Sequence, residues 1–245
     1  MAHEWDATTY DSLELPHEEW GRRVLDRLRL AGDERVLDAG CGTGRDAEAL
    51  LARWPGVRLV ALDGSSQMLD VARERLGDGV ELVHADLTEP LPLDPAEPVD
   101  AVMSVAAFHW VRDHDLLFAH LAAVMRPGAR LTSDCGGRGN VRNLDAAIAA
   151  ALPEPPEVWE FAGVDDTRER LERAGFDVED VRLREHPFRI EDRATFEAYL
   201  ASVCLSGYLR DLPEDQHRDF VSAVADGFEA PVIDYVRLEI DAVRR

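Results

Sequence analysis

The 245-residue chain contains no lysine; all 27 of its basic residues are arginine. A lysine Schiff base is therefore excluded, as is a phosphate-gripping loop of the G-x-x-x-x-G-K-[ST] type. Cysteine is scarce. Cys41, Cys135 and Cys204 are odd in number and widely spaced, so they form neither a disulfide framework nor a C-x-x-C metal site. They read as reduced thiols of a cytoplasmic protein. No apolar run approaches the ~20 residues of a membrane-spanning helix, and no charged stretch followed by an apolar one opens the chain as a secretion signal would. Positive charge is in deficit: 27 basic against 49 acidic residues, a net charge of −22. Such a surface repels nucleic-acid phosphates and anionic membranes, so neither is an expected partner. His114 and His120 stand six positions apart on an expected helix, on different faces, and no metal site is expected from them or from His84.

What is present concentrates in Arg35 to Gly44, R-V-L-D-A-G-C-G-T-G. A short apolar run ends in Asp38, glycines follow at positions 40, 42 and 44, and a helix-compatible stretch runs from Asp46 to Arg53. Strand, tight glycine turn and helix open a nucleotide-binding α/β unit. Glycine lets the backbone turn sharply and approach a ligand, and the helix start offers unpaired N–H groups. The third glycine comes one residue too early for the dinucleotide pattern G-x-G-x-x-G. A second buried strand, Val57–Leu62, ends at Asp63, 19 residues after Gly44. An acid there accepts from both hydroxyls of a ribose; the alternative is a cap on the helix that begins near Ser65 or Ser66. A third strand, Val80–His84, leads to Asp86 and Leu87, and a fourth, Val99–Val105, to Ala106-Ala-Phe-His-Trp-Val111. Met125–Thr132 reads as a helix end, a turn and a fifth strand.

The series VLDAGCGTG, LVALDGSSQML, ADL, VMSVAAFHWV and LAAVMRPGARL resembles, in order and spacing, the class I S-adenosylmethionine-dependent methyltransferases over about residues 30–135. The resemblance implies an α/β fold: a doubly wound, mostly parallel, Rossmann-like seven-stranded sheet with an antiparallel last strand. It implies that Asp38, Gly40, Cys41, Gly42 and Gly44 hold the methionine end of S-adenosylmethionine. Asp63, with Gly64 and Met68 beside it, takes the ribose, Asp86 and Leu87 take the adenine, and Ser104 and Ala106 line the sulfonium side. Trp5-Asp6, Tyr10, the FHWV turn and two late helices before a final strand resemble the trans-aconitate methyltransferase branch.

A single domain is expected over residues 1–245, with an N-terminal helical lid over 1–30 and a helical cap over 190–230. Helices are expected over Leu144–Leu152, Asp166–Ala174, Arg193–Leu209 and Asp215–Phe228, a sixth strand over Phe176–His186, and a last strand over Tyr235–Val243. Pro90–Pro98 is a loop. Trp5 and Tyr10 either fold over the cofactor or anchor the N-terminal segment. His109 is the candidate catalytic residue, as a general base or as a positioning group. Trp110 shapes the substrate pocket, joined by Tyr199, and Arg138, Arg142 and Arg210 are candidate grips for an acidic substrate. The expected activity is methyl transfer to a small molecule at a carboxyl or hydroxyl oxygen, by a monomer or homodimer. C- or N-methylation, a non-catalytic cofactor-binding relative and a dinucleotide oxidoreductase are the rivals.

Overall fold

The computed structural model describes residues 16–152 and 154–245. Strand β1 (Arg35–Ala39) is buried along its whole length, as the near-continuous apolar run of a strand covered on both faces requires. Parallel β2 (Arg58–Asp63) and β4 (Val99–Val105) flank it. β3 (Glu81–His84) lies outside β2, and β5 (Met125–Gly136) pairs parallel to β4. β9 (Val236–Arg244) inserts antiparallel between β5 and β6 (Phe176–Glu185). The sheet thus has seven strands in the order β3-β2-β1-β4-β5-β9-β6. Strand order reverses direction between β1 and β4, and a ligand crevice opens outside the carboxyl ends of strands at such a switch point.

Alternating residues feed two cores. Val36, Leu59, Ala101 and Met103 face one side, and Leu37, Val60 and Val102 face the other. The first side is covered by α1 (His17–Arg27), α2 (Arg45–Arg53) and α5 (Arg142–Ala151), through Trp20, Leu50 and Leu144. The second is covered by α4 (His114–Val124) and α6 (Val164–Arg173), through Leu117 and Leu171. Helix α3 (Ser66–Leu76) follows β2 and is capped by the Ser65 hydroxyl, which accepts from the Met68 amide at 3.2 Å.

The segment between β6 and β9 departs from the expected pair of continuous helices. Arg193–Leu209 is α7 (Arg193–Tyr199), a π-turn over Leu200–Cys204 and the short α8 (Ser206–Leu209). The Leu205 amide reaches back five residues to the Leu200 carbonyl at 2.8 Å. The wider turn keeps Leu200, Val203 and Cys204 buried and brings the Cys204 thiol to 3.7 Å from the Tyr235 hydroxyl. The second helix, α9 (His217–Asp226), packs against α5. A ribbon of β7 (Phe188–Arg189) and β8 (Val232–Ile233) closes the base of this insertion. Strands of two residues are too short to leave a period-two pattern, so the sequence does not announce them.

Candidate active site

A cavity of about 1300 Å³ lies at the carboxyl ends of β1, β2 and β4. Its floor is the glycine turn. The amides of Gly40 and Cys41 donate to the Leu62 carbonyl at 2.8 and 2.9 Å, and the Gly42 amide donates to Asp63 Oδ2 at 2.8 Å. Gly40 and Gly42 sit at φ of +85° and +54°, a region costly for residues bearing a Cβ. The two differ in what a side chain would meet. A Cβ on Gly40 would overlap the Ala107 side chain, whereas a Cβ on Gly42 would point into open space.

Three acids surround this turn. Asp38 is 1% exposed and its Oδ2 has no hydrogen-bond partner among the described residues. Burial, then the neighbouring Asp46 and Asp63 carboxylates, push its pKa well up. Asp46, in the first turn of α2, is raised to about 7 by burial, which outweighs the opposing pull of the Arg45 cation. Asp63 is not the cap of α3, a role held by Ser65; its Oδ1 instead accepts from the Ser65 amide at 2.8 Å. Asp86 Oδ1 accepts from the Thr88 amide and hydroxyl at 3.0 and 2.7 Å.

The opposite end of the cavity has the reverse character. His109 follows β4 in a short 3₁₀ turn, and its Nδ1 accepts from the Gly136 amide at 3.2 Å. Burial, then the Arg237 cation, lowers its pKa well below the usual value. A neutral imidazole that accepts at Nδ1 carries its proton on Nε2. His109 therefore offers a donor, and the lone pair a general base would need is already engaged. Arg237 is 1% exposed. Its Nε donates to Asp134 Oδ1 at 2.7 Å, its guanidinium lies 3.6 Å from the Trp20 ring centroid, and its Nη2 has no partner among the described residues. The rings of Trp110, Trp159 and Phe161 continue this end, with Phe161 stacked on His109 at 6.0 Å and Trp159 on Phe161 at 5.4 Å.

Of the residues singled out from sequence, the cavity gathers Gly40, Cys41, Gly42, Asp63, Gly64, Met68, Asp86, Leu87, Ala106, His109 and Trp110. Arg210 also reaches its rim, and the cavity does not gather the rest of the described ones. Asp38 sits just behind the turn, and Gly44 faces Leu76 and Ala72 of α3. Ser104 is buried and donates its hydroxyl to the Ala39 carbonyl at 2.7 Å, tying β4 to β1. Tyr199 is buried behind Tyr235, hydroxyl to hydroxyl at 2.7 Å. Arg138 is exposed and paired with Asp166, and Arg142 is exposed at the start of α5. Arg210, at the rim, stands beside Asp211. Trp5 and Tyr10 lie outside the described residues.

Arg237, Asp46, Asn140, Trp159, Phe161 and Tyr235 also line the cavity and were not singled out. Arg237 alternates with Leu238 and shares a strand face with Glu239 and Asp241, which reads as a solvated face. Helix α1 covers that face instead: Arg23 and Arg27 pair with Glu239 at 2.7 and 3.2 Å, and Arg27 also with Asp241 at 3.2 Å. The usable signal was Arg23 and Arg27, one helical turn apart and one turn beyond a tryptophan.

Residues 36–128 match the family described as Methyltransferase domain. The chain is 29% identical over 240 residues to a trans-aconitate 2-methyltransferase of Paracidovorax citrulli, covering 93% of this chain and 90% of the relative. Its fold resembles that of a putative methyltransferase from Bacillus halodurans, with a TM-score of 0.63 and 21% identity, over 91% of this chain and 98% of the other. It also resembles Haemonchus contortus phosphoethanolamine N-methyltransferase 2 in complex with S-adenosyl-L-methionine, with a TM-score of 0.61 and 19% identity, over 92% of this chain and 52% of the other. These matches support an S-adenosylmethionine-dependent methyltransferase with the class I fold. Within that class it is related to the trans-aconitate methyltransferase branch.

The residues at the turn fit that cofactor. S-adenosylmethionine carries positive charge at sulfur and at its amino group. Asp46 and Asp63 line the cavity beside the turn and would face that charge, and Asp38, whose buried Oδ2 lacks a partner among the described residues, lies directly behind it. Gly42 leaves space that any side chain would occupy. Among the described residues no helix is long and apolar enough to cross a membrane.

Proposed function

We propose that the protein transfers the methyl group to a carboxylate oxygen of a small organic acid. The observation that carries this reading is Arg237, a cavity-lining residue with a buried cation, paired through Nε with Asp134 and with Nη2 lacking a partner among the described residues, in the same lining as the donor His109. Two further residues of the same wall add polarity: Asn140, whose Oδ1 accepts from the Val236 amide at 2.8 Å, and Tyr235. The names of the trans-aconitate relatives agree with a carboxylic acid substrate.

When bound, S-adenosylmethionine supplies an electrophilic methyl group on sulfur. The glycine turn and Asp63, with Asp38 buried just behind them, would hold the methionine and ribose portions, and Asp86 with the Leu87 amide would take the adenine. Arg237 orients the acid through a charge-assisted hydrogen bond, and His109 Nε2–H fixes a second oxygen. A carboxylate attacks without releasing a proton, so the site needs no base, in keeping with the engaged Nδ1 of His109. A hydroxyl acceptor would need one. The test is incubation with methyl-labelled S-adenosylmethionine and a panel of acids, alcohols and amines. Label released as methanol by mild base identifies a carboxyl ester. Label held in a base-stable ether or amine overturns the reading.

A further inference from the structure

Resting on the carboxyl-methylation reading, we propose that the acid this site takes has one carboxylate and a flat, apolar body. A tricarboxylate needs several cations that converge on it without an excess of neighbouring acids. The cavity places one buried guanidinium, Arg237, at its acceptor end. The cavity's other arginines stand beside acids at its rim or cofactor end: Arg22 and Arg53 with Asp26 at 3.9 and 2.8 Å, Arg75 with Glu48 at 3.2 Å, Arg112 with Glu157 at 2.5 Å, Arg210 with Asp211 at 3.3 Å, and Arg45 next to Asp46 at the start of α2. Glu157, Asp211 and Asp113 bring negative charge to the same rim, which opposes any further carboxylate.

The cavity lining next to His109 is aromatic. Trp110 and Trp159 meet edge to face at 6.0 Å, Trp159 stacks on Phe161 at 5.4 Å, and Phe161 stacks on His109 at 6.0 Å. These rings make a contiguous series that begins at His109, and Val158 and Val203 line the same cavity. The cavity, about 1300 Å³, exceeds the ~300–1,000 Å³ of an ordinary single-ligand pocket, so cofactor and a ring-bearing acceptor fit together. Planar rings stack on such a surface, whereas hydrated carboxylates lose their water against it without recompense.

Two measurements test this. The first compares kcat/KM for methylation of cinnamate, butyrate and trans-aconitate. Cinnamate is expected to exceed both others by at least about tenfold, or about 1.4 kcal/mol. Trans-aconitate equal to or better than cinnamate overturns the inference and leaves carboxyl methylation standing, as does butyrate equal to cinnamate. Methylation of a phenol or amine with none of the acids overturns both. The second is calorimetric binding of cinnamate to the protein saturated with S-adenosylhomocysteine. Trp159→Ala should weaken it about tenfold and Trp159→Phe should recover part of the loss, with S-adenosylhomocysteine affinity unchanged. No detectable cinnamate binding to the wild type, or binding insensitive to Trp159→Ala, overturns the inference.

Discussion

Gly40 and Gly42 are two residues apart in the same turn, yet alanine at each should fail for different reasons. Both have positive φ, so each substitution carries a backbone cost of about 1–2 kcal/mol. At Gly42 nothing else opposes the new methyl group, because its Cβ meets open space. For a chain of this size about 1 kcal/mol corresponds to ~2–4 °C in Tm, so Gly42→Ala should lower Tm by roughly 2–8 °C. At Gly40 the Cβ overlaps Ala107, adding about 1–3 kcal/mol of overpacking, and the combined ~2–5 kcal/mol should lower Tm by roughly 4–20 °C. The order reverses for ligand binding per unit of stability lost. Gly42→Ala fills space the cofactor needs, and its affinity for S-adenosylhomocysteine should fall by at least about tenfold while the protein remains folded. Differential scanning calorimetry and isothermal titration on the same preparations read both quantities. If Gly42→Ala loses stability as expected but binds S-adenosylhomocysteine like the wild type, the turn does not cradle the cofactor.

Three other outcomes are expected. The pH dependence of kcat should show no acid limb near pH ~6.5 from His109, because burial and Arg237 keep its imidazole neutral; such a limb, abolished by His109→Gln, would mean the residue titrates as a base. Arg237→Met strands the Asp134 carboxylate and should destabilise by about 3–5 kcal/mol, and the double variant with Asp134→Leu should regain stability but not acid binding; recovery of both would reduce Arg237 to a structural ion pair. Asp46, held near 7, is substantially protonated in the free protein at mildly acidic pH, and a cationic cofactor favours its carboxylate form. Binding of S-adenosylmethionine at about pH 6.5 should therefore release protons, seen as a calorimetric enthalpy that varies with buffer ionisation enthalpy, and Asp46→Asn should diminish the release. The sign follows from the raised pKa: ionising Asp46 costs the free protein stability as pH rises from about 4 toward 7, and a bound cation offsets that cost.

The parts legible beforehand are those where local chemistry suffices. A buried parallel strand has to be apolar on both faces, a tight turn at its end has to lack side chains, and the next helix has to start there. Those demands fall on consecutive residues, so Val36–Gly44, Asp63 and Asp86 announce the cofactor crevice in one dimension. Sheet strands longer than three residues also mark themselves, because alternation repeats enough times to stand out. The same logic failed where one physical requirement was met by another part of the chain. Ser104 ends a strand at the right place but spends its hydroxyl on Ala39, a neighbour 65 positions away. Arg138 and Arg142 follow a glycine-rich break yet point to the surface, while the loop at Trp159–Phe161, with no periodicity at all, supplies the aromatic wall.

The amino-acid order alone determined that this chain builds a glycine turn and a crevice at the carboxyl ends of its first strands, because that crevice is made by short-range geometry of one turn and the strand ends beside it. Tertiary structure alone decided the other end of the cavity. Arg237 looks solvated on its strand and becomes a buried cation only when α1 lies across β9, and the Nδ1 lone pair of His109 is engaged only when the Gly136 amide, from a different strand, reaches it. Burial and hydrogen-bond partners set the charge and proton position of both groups, and both are fixed by contacts between segments far apart in the chain.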